Sequence, residues 1–294
     1  MSVKEQLRGT GVAVVTPFTA KNTIDVEALG NLLDYLINGG VQYIVTMGTT
    51  GETPVLSKEE KKSIIEFTYA YVNGRVPVVV GVGGNCTQDV IDDLNYFPLE
   101  QATAVLSASP YYNKPSQEGI FQHYKALAAK SPKPIILYNV PGRTGRNMTA
   151  ATTLRLAHVP NIAGIKEASS DMQQCIEILK DRPQNFMVVS GDDGLAMAQI
   201  ACGMDGVISV AANVFPQQFS QMVQHSLQFD FAAAKKLNDQ LLKGYDLMFA
   251  ENNPAGAKAF LSEMGILQNM VRLPVVPLSD ALHQQLKDYL KTMN

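Results

Sequence analysis

The stretch "NIAGIKEASSD" (Asn161–Asp171) decides how this chain is to be folded. Its first half is a run of small and apolar residues that does not alternate with polar ones. A strand with one wet face alternates; a parallel strand covered on both faces does not. The run therefore reads as a buried parallel strand, yet it ends on an ammonium group, Lys166. Burying a charge is costly unless the group is paired or gives up its proton. The lysine needs either a partner or a task.

Seven further runs have the same character. They are "GVAVVTPF" (Gly11–Phe18), "YIVTMG" (Tyr43–Gly48), "VPVVVGVG" (Val76–Gly83), "ATAVLSASP" (Ala102–Pro110), "KPIILYNVP" (Lys133–Pro141), "FMVVSGDD" (Phe186–Asp193) and "GVISVAAN" (Gly206–Asn213). Amphipathic helical patterns separate them. The clearest is "SKEEKKSIIEFTYAYVNG", with Ser57 as its cap, Glu60 completing a capping box and Gly74 after its end. Eight strands in strict strand-then-helix order predict a (β/α)8 TIM barrel. A doubly wound sheet is the alternative, but "GVGGN" (Gly81–Asn85) is not GxGxxG and no Walker A sequence is present. From about Phe215 the pattern is helical throughout, broken near "ENNPAGAK" and "VRLPVVPLS". The expected division is a barrel core over 1–214, then the last barrel helix and a C-terminal helical extension over 215–294.

Composition narrows the function. The 294 residues are 46% hydrophobic with a formal net charge of −3, and no Lys/Arg run stands out, so nucleic acid is not an expected partner. No apolar run has the roughly 18 residues of a membrane span, and the N-terminus lacks a secretory pattern. A cytoplasmic protein without membrane partners is expected. Three scattered cysteines and four scattered histidines form no CxxC, HxxH or HExxH, so neither a disulfide framework nor a metal site is expected.

In such a barrel the chemistry lies at the C-terminal ends of the strands, and there the unusual residues gather. They are "GTTGE" (Gly48–Glu52), "SPYYNKPS" (Ser109–Ser116), "YNVPGRTG" (Tyr138–Gly145), Lys166, "SGDDG" (Ser190–Gly194) and "SVAANV" after the eighth strand. An amine held in a low-dielectric pocket loses its proton more readily and can attack a ketone to form a Schiff base. The competing reading of Lys166 is a lysine that snorkels to the rim or pairs with Glu167. "GTTGE" offers backbone N–H groups for a carboxylate, or is an ordinary tight turn. Tyr138, at the end of the strand before Lys166, is placed to shuttle protons if a hydroxyl relay through Thr49 and another tyrosine assists it, or is a rim aromatic. Arg143 suits a bidentate grip on a carboxylate, or is a solvated loop charge.

Taken in order, "GTTGE", "YYNKPSQEG", "YNVPGRTG", "GIKEAS" and "SGDD" resemble the dihydrodipicolinate synthase / N-acetylneuraminate lyase family of class I pyruvate aldolases. The match runs from "GTGVAVVTPF" through "VRLPVVPLSD". The resemblance implies that Lys166 holds pyruvate as a Schiff base and that Tyr138 is the general acid/base. It makes Thr49 and Tyr112 the relay partners, Tyr112 reaching in from a neighbouring subunit. Thr50 and the amides around it would receive the pyruvate carboxylate, Arg143 the carboxylate of L-aspartate 4-semialdehyde, and Gly191 and Ile208 would line the pyruvate pocket. It implies a homotetramer built as a dimer of dimers. It implies no cofactor, because the lysine is itself the electron sink. Within the family the alternative is a lyase acting on N-acetylneuraminate or a 2-keto-3-deoxy sugar acid; Thr49 and Arg143 favour the condensation with aspartate semialdehyde, the first committed step of diaminopimelate and lysine biosynthesis. A phosphosugar aldolase is disfavoured by the two carboxylates of "SGDDG" where a phosphate would bind.

Two departures from the family pattern stand out. Gly256 replaces a proline common after "NP", in the extension and away from the expected chemistry. The resemblance also implies an allosteric lysine pocket at a dimer interface, involving Asn85, Asp89 and Tyr111. There Lys58 and Lys61 stand where lysine-sensitive relatives carry histidines, and Lys61 is placed to pair with Asp89. Weak or absent inhibition by lysine is therefore expected.

Overall fold

The computed structural model describes residues 1–293. The strands are β1 (Gly9–Ala13), β2 (Tyr43–Thr46), β3 (Val78–Gly81), β4 (Ala104–Ala108), β5 (Ile135–Asn139), β6 (Ile162–Glu167), β7 (Met187–Ser190) and β8 (Gly206–Ser209). Each pairs in parallel with its neighbours in chain order, and β8 returns to β1, so the sheet closes on itself as a (β/α)8 barrel. The continuous apolar runs have the expected cause, because each strand is covered on both faces. Along β2, β4 and β5, Tyr43, Val45, Ala104, Leu106, Ile136 and Tyr138 fill the barrel interior. Their alternates Ile44, Val105, Ile135 and Leu137 join the outer core beneath the helices.

The strands are shorter than the apolar runs. β1 ends at Ala13, and Val14–Phe18 leaves the sheet while staying buried. Asn213 holds that exit: its amide donates to Ala13 O at 2.8 Å and its Oδ1 accepts from Val15 N at 3.2 Å. Buried backbone needs partners, and here a side chain from the last barrel turn supplies them. The helix Lys58–Val72 forms with its predicted capping box. Ser57 Oγ accepts from Glu60 N at 3.1 Å, and Glu60 Oε2 accepts from Ser57 N at 2.9 Å.

The helix Pro216–Leu227 completes the barrel's outer ring. Three further helices follow, Phe231–Phe249, Ala255–Glu263 and Asp280–Met293. Leu241, Tyr245, Phe260 and Leu286 from these helices join the same core as the outer faces of the strands. Gly256 has a steric role here. A Cβ at that position would lie 2.0 Å from Met248 O, so the first turn of the helix Ala255–Glu263 packs against the preceding helix with no room for a side chain there. Among the described residues no helix is long and apolar enough to cross a membrane.

Candidate active site

β5 and β6 are in register so that Tyr138 lies beside Lys166 and Asn139 beside Glu167. Side chains alternate across a strand, so the first pair faces one side of the sheet and the second the other. Lys166 points into the barrel mouth, is 4% exposed, and has its Nζ 4.3 Å from the centre of the Tyr138 ring. Among the described residues it has no ion-pair or hydrogen-bond partner. The possible pairing with Glu167 does not occur. Glu167 faces outward, where its carboxylate accepts from the Asn139 amide at 3.0 and 3.1 Å, Gln174 Nε2 at 3.0 Å and Ser169 N at 2.8 Å. Burial pushes that carboxyl above its ordinary range, while the hydrogen bonds pull the other way.

Lys166 opens into a cavity of about 410 Å³ whose wall includes Thr49, Thr50, Tyr138, Arg143 and Gly191. A second cavity, of about 310 Å³, adjoins it and shares Thr49, Tyr138 and Arg143. Gly191 is required by its neighbours at the end of β6: a Cβ there would lie 2.6 Å from Ala168 Cβ and 2.9 Å from Lys166 Cε. Ile208 is different. It is fully buried in the barrel interior, and at that strand the cavity wall is Val210.

"GTTGE" folds as a single 3-10 turn, Thr49–Gly51, followed by Glu52 in the left-handed region at φ 56°. Gly51 N and Glu52 N donate within the turn, to Gly48 O and Thr49 O. The N–H groups of Thr49 and Thr50 have no acceptor among the described residues and stand beside the cavity, a local patch of positive potential suited to an anion. No hydrogen bond joins the Thr49 hydroxyl to Tyr138; the two share a wall. Arg143 sits in the short helix Pro141–Thr144, and its guanidinium donates to Asn252 Oδ1 at 3.3 Å.

Tyr112 is not brought to this site within the chain. It is 88% exposed, at φ 70°, and projects from a loop tethered by the Asn113 amide to Asn85 O at 2.8 Å. Its neighbour Tyr111 lines the second cavity with Lys61 and Asp93. The expected pairing of Lys61 with Asp89 is absent, and Lys58 instead pairs with Asp93 at 2.6 Å. One helical turn beyond Asp89, Asp93 is the carboxylate that comes within reach of the capped helix carrying Lys58.

Three contributions escaped the sequence reading. Asn252 and Asn253, at the break before Pro254, reach the cavity from the extension. Asn253 Nδ2 donates to Thr50 Oγ1 at 3.0 Å while its Oδ1 is buried without a partner. The two adjacent asparagines before a proline were the available signal. Asp193 is buried and links the loop after β7 to the turn after β8, its Oδ2 accepting from Val210 N at 3.1 Å and Ala211 N at 2.8 Å; burial pushes its carboxyl up to about 6. Asp192 accepts from Ser170 Oγ at 2.7 Å. Both acids of "SGDDG" are thus tied to the rim. The third is Glu52, which meets Lys258 in a buried ion pair. No group of three or more His, Cys, Asp or Glu among the described residues is placed to hold a metal.

The comparisons with known proteins agree with one another. The sequence model of the dihydrodipicolinate synthetase family matches residues 6–293. A 4-hydroxy-tetrahydrodipicolinate synthase of Parabacteroides distasonis is 47% identical over 289 residues, covering 98% of this chain and 97% of the relative. Among solved structures, the chloride-inhibited dihydrodipicolinate synthase of Acinetobacter baumannii, complexed with pyruvate, superposes with a TM-score of 0.94 at 38% identity, covering 97% and 98% of the two chains. A monomeric dihydrodipicolinate synthase variant superposes with a TM-score of 0.95 at 36% identity, covering 99% and 98%.

Proposed function

The chain belongs to the dihydrodipicolinate synthetase family, and from that premise we propose how its barrel mouth condenses pyruvate with L-aspartate 4-semialdehyde to 4-hydroxy-tetrahydrodipicolinate. The observation that carries the proposal is Lys166: a buried, unpaired amine facing a cavity, in register with a tyrosine. Lys166 Nζ adds to the pyruvate ketone, and loss of water leaves an iminium. The iminium draws electrons from the adjacent methyl carbon; removal of a methyl proton gives an enamine, which attacks the aldehyde carbon. The amine of the second substrate then closes the ring and displaces Lys166. Tyr138 gives and takes the protons at the reacting carbons and oxygens. The Thr49 and Thr50 amides, with the Thr50 hydroxyl, receive the pyruvate carboxylate. Arg143 receives the carboxylate of the semialdehyde, Gly191 leaves room for the imine, and Ile208 supports the floor from below.

Thr49 and Tyr112 complete the proton relay. Tyr112 projects away from its own cavity, and that supports its insertion into a neighbouring subunit's site, within a tetramer built as a dimer of dimers. Sedimentation that finds a fully active monomer removes the shared relay. In this reading the chemistry belongs to the barrel, 1–214, and the C-terminal part, 215–294, supports it.

The test is reductive trapping. Incubation with pyruvate followed by borohydride is expected to leave one adduct, on Lys166, by mass spectrometry. An adduct on another lysine overturns the assignment. Turnover of aspartate semialdehyde, with none of N-acetylneuraminate or a 2-keto-3-deoxy sugar acid, separates this reading from the related lyases.

A further inference from the structure

We propose that Glu52 and Lys258 are positioning residues of the reaction: their buried ion pair fastens the Gly48–Glu52 turn to the C-terminal helices and so sets the pocket for the pyruvate carboxylate. This rests on the function proposed above. Lys258 lies on the helix Ala255–Glu263 and is 0% exposed. Its Nζ meets Glu52 Oε1, donates to Met270 O at 2.8 Å and lies 4.1 Å from the centre of the Phe18 ring. Glu52 Oε2 accepts from Arg272 N at 3.0 Å. The Arg272 guanidinium holds Glu60, the capping-box acid of the helix after the turn, at 2.6 and 2.8 Å.

The turn is therefore fastened at two points, Thr50 and Glu52, to one C-terminal segment. From above, Asn253 grips Thr50 Oγ1. From behind, Lys258 and Arg272 grip Glu52, whose left-handed backbone starts directly after the turn. Thr50, whose N–H stands beside the cavity with that of Thr49, is thus held through its own hydroxyl and through Glu52 two residues on. A buried pair is costly to desolvate and adds little net stability over an apolar pair, whereas removing one partner strands a charge. What a buried pair does provide is a fixed geometry, and here that geometry belongs to the turn that meets the carboxylate. The segment "NNPAGAK" thus bears on the chemistry from the extension.

The experiment compares Lys258→Met, Glu52→Gln and the double variant Glu52→Gln/Lys258→Met in the full chain. Rates are counted per imine-competent site by borohydride titration, so that misfolded chains drop out. The single Lys258→Met variant strands Glu52 and is expected to melt lower. The double variant carries no stranded charge and is expected to recover most of that loss. Its KM for pyruvate is expected to stay about tenfold or more above wild type, the size of a lost charge-assisted contact, with the KM for aspartate semialdehyde within about threefold. Glu52→Gln keeps an acceptor for Lys258, and is expected to shift pyruvate KM in the same direction by a smaller factor. A wild-type pyruvate KM in the double variant, or an equal rise for both substrates, overturns the proposal. Failure of the reaction assignment itself has a different signature: wild-type protein would yield no pyruvate adduct on Lys166.

Discussion

Among the described residues two lysines are buried, one at the mouth of the barrel and one on a C-terminal helix. Lys258 is enclosed by a carboxylate, a backbone carbonyl and an aromatic face. Lys166 has only the Tyr138 ring beside it and open space in front. The same side chain has opposite surroundings: one buried amine is enclosed by protein groups, the other is left facing a cavity. Glu167 makes the contrast sharper. It is adjacent to Lys166 in sequence and would neutralise it, but the strand's alternation turns it to the far side of the sheet, where two amide side chains and a backbone N–H engage it. Burial draws Lys258 down to about 8 despite the nearby Glu52. Lys258 therefore loses its proton well before an exposed lysine does.

The comparison breaks most visibly on paired substitutions. Lys166→Met is expected to remove the covalent route and lower kcat/KM by several orders of magnitude, with a melting temperature unchanged or higher, because an unpaired buried polar group is replaced by apolar volume. Lys258→Met is expected to do the reverse to stability, costing about 3–5 kcal/mol as an uncompensated Glu52 is left behind. Denaturant unfolding of the two variants side by side decides it. Equal stability losses would end the distinction.

His123 shows a third fate for a buried base, kept neutral. Its Nδ1 is 2.9 Å from Thr87 Oγ1, its Nε2 is buried without a partner, and burial lowers its pKa from 6.5 to about 4. The neutral form is the one the fold favours. Its contribution to stability is therefore full above pH 6.5 and is lost as pH falls through about 4, up to about 3 kcal/mol in all. His123→Phe is expected to flatten the melting temperature between pH 6.5 and 4; an unchanged slope would assign the acid sensitivity elsewhere.

Smaller effects test the exposed charges at the mouth. Arg143→Ala is expected to raise the KM for aspartate semialdehyde about tenfold or more, a loss of roughly 1.5–3 kcal/mol, with a smaller change for pyruvate. Equal effects on both substrates would count against the assigned contact. The smallest expected response is to lysine. Lys58 is held charged by Asp93, and Lys61 stands in the wall of the second cavity, so an incoming ammonium meets like charge. A titration into the millimolar range should leave activity nearly unchanged; cooperative submillimolar inhibition would show that these lysines do not guard the pocket.

Much of this was legible in the residues. Strand order, the capping box at Ser57 and the place of Lys166 at a strand end follow from local rules of periodicity, capping and burial, which need only neighbouring residues. The same rules placed "GTTGE", Tyr138 and Arg143 on one rim. They overran the strands, because an apolar run cannot distinguish a residue paired in a sheet from one buried in the following loop, as at Val14–Phe18. The resemblance, in turn, paired Lys61 with Asp89, where helix geometry brings Lys58 to Asp93.

The sequence by itself determined the barrel and the place of Lys166 at a strand end, since both are written in short-range patterns. Only the tertiary structure decided what holds the reactive rim in shape. Thr50 meets Asn253 across 203 residues, Glu52 meets Lys258 across 206, and Glu60 meets Arg272 across 212. No local rule reaches that far. A lysine in an apolar helix reads the same whether it snorkels to water or is matched to a carboxylate from the other end of the chain. The difference is made by the packing that excludes water from both, and that exists only once the extension has closed against the barrel.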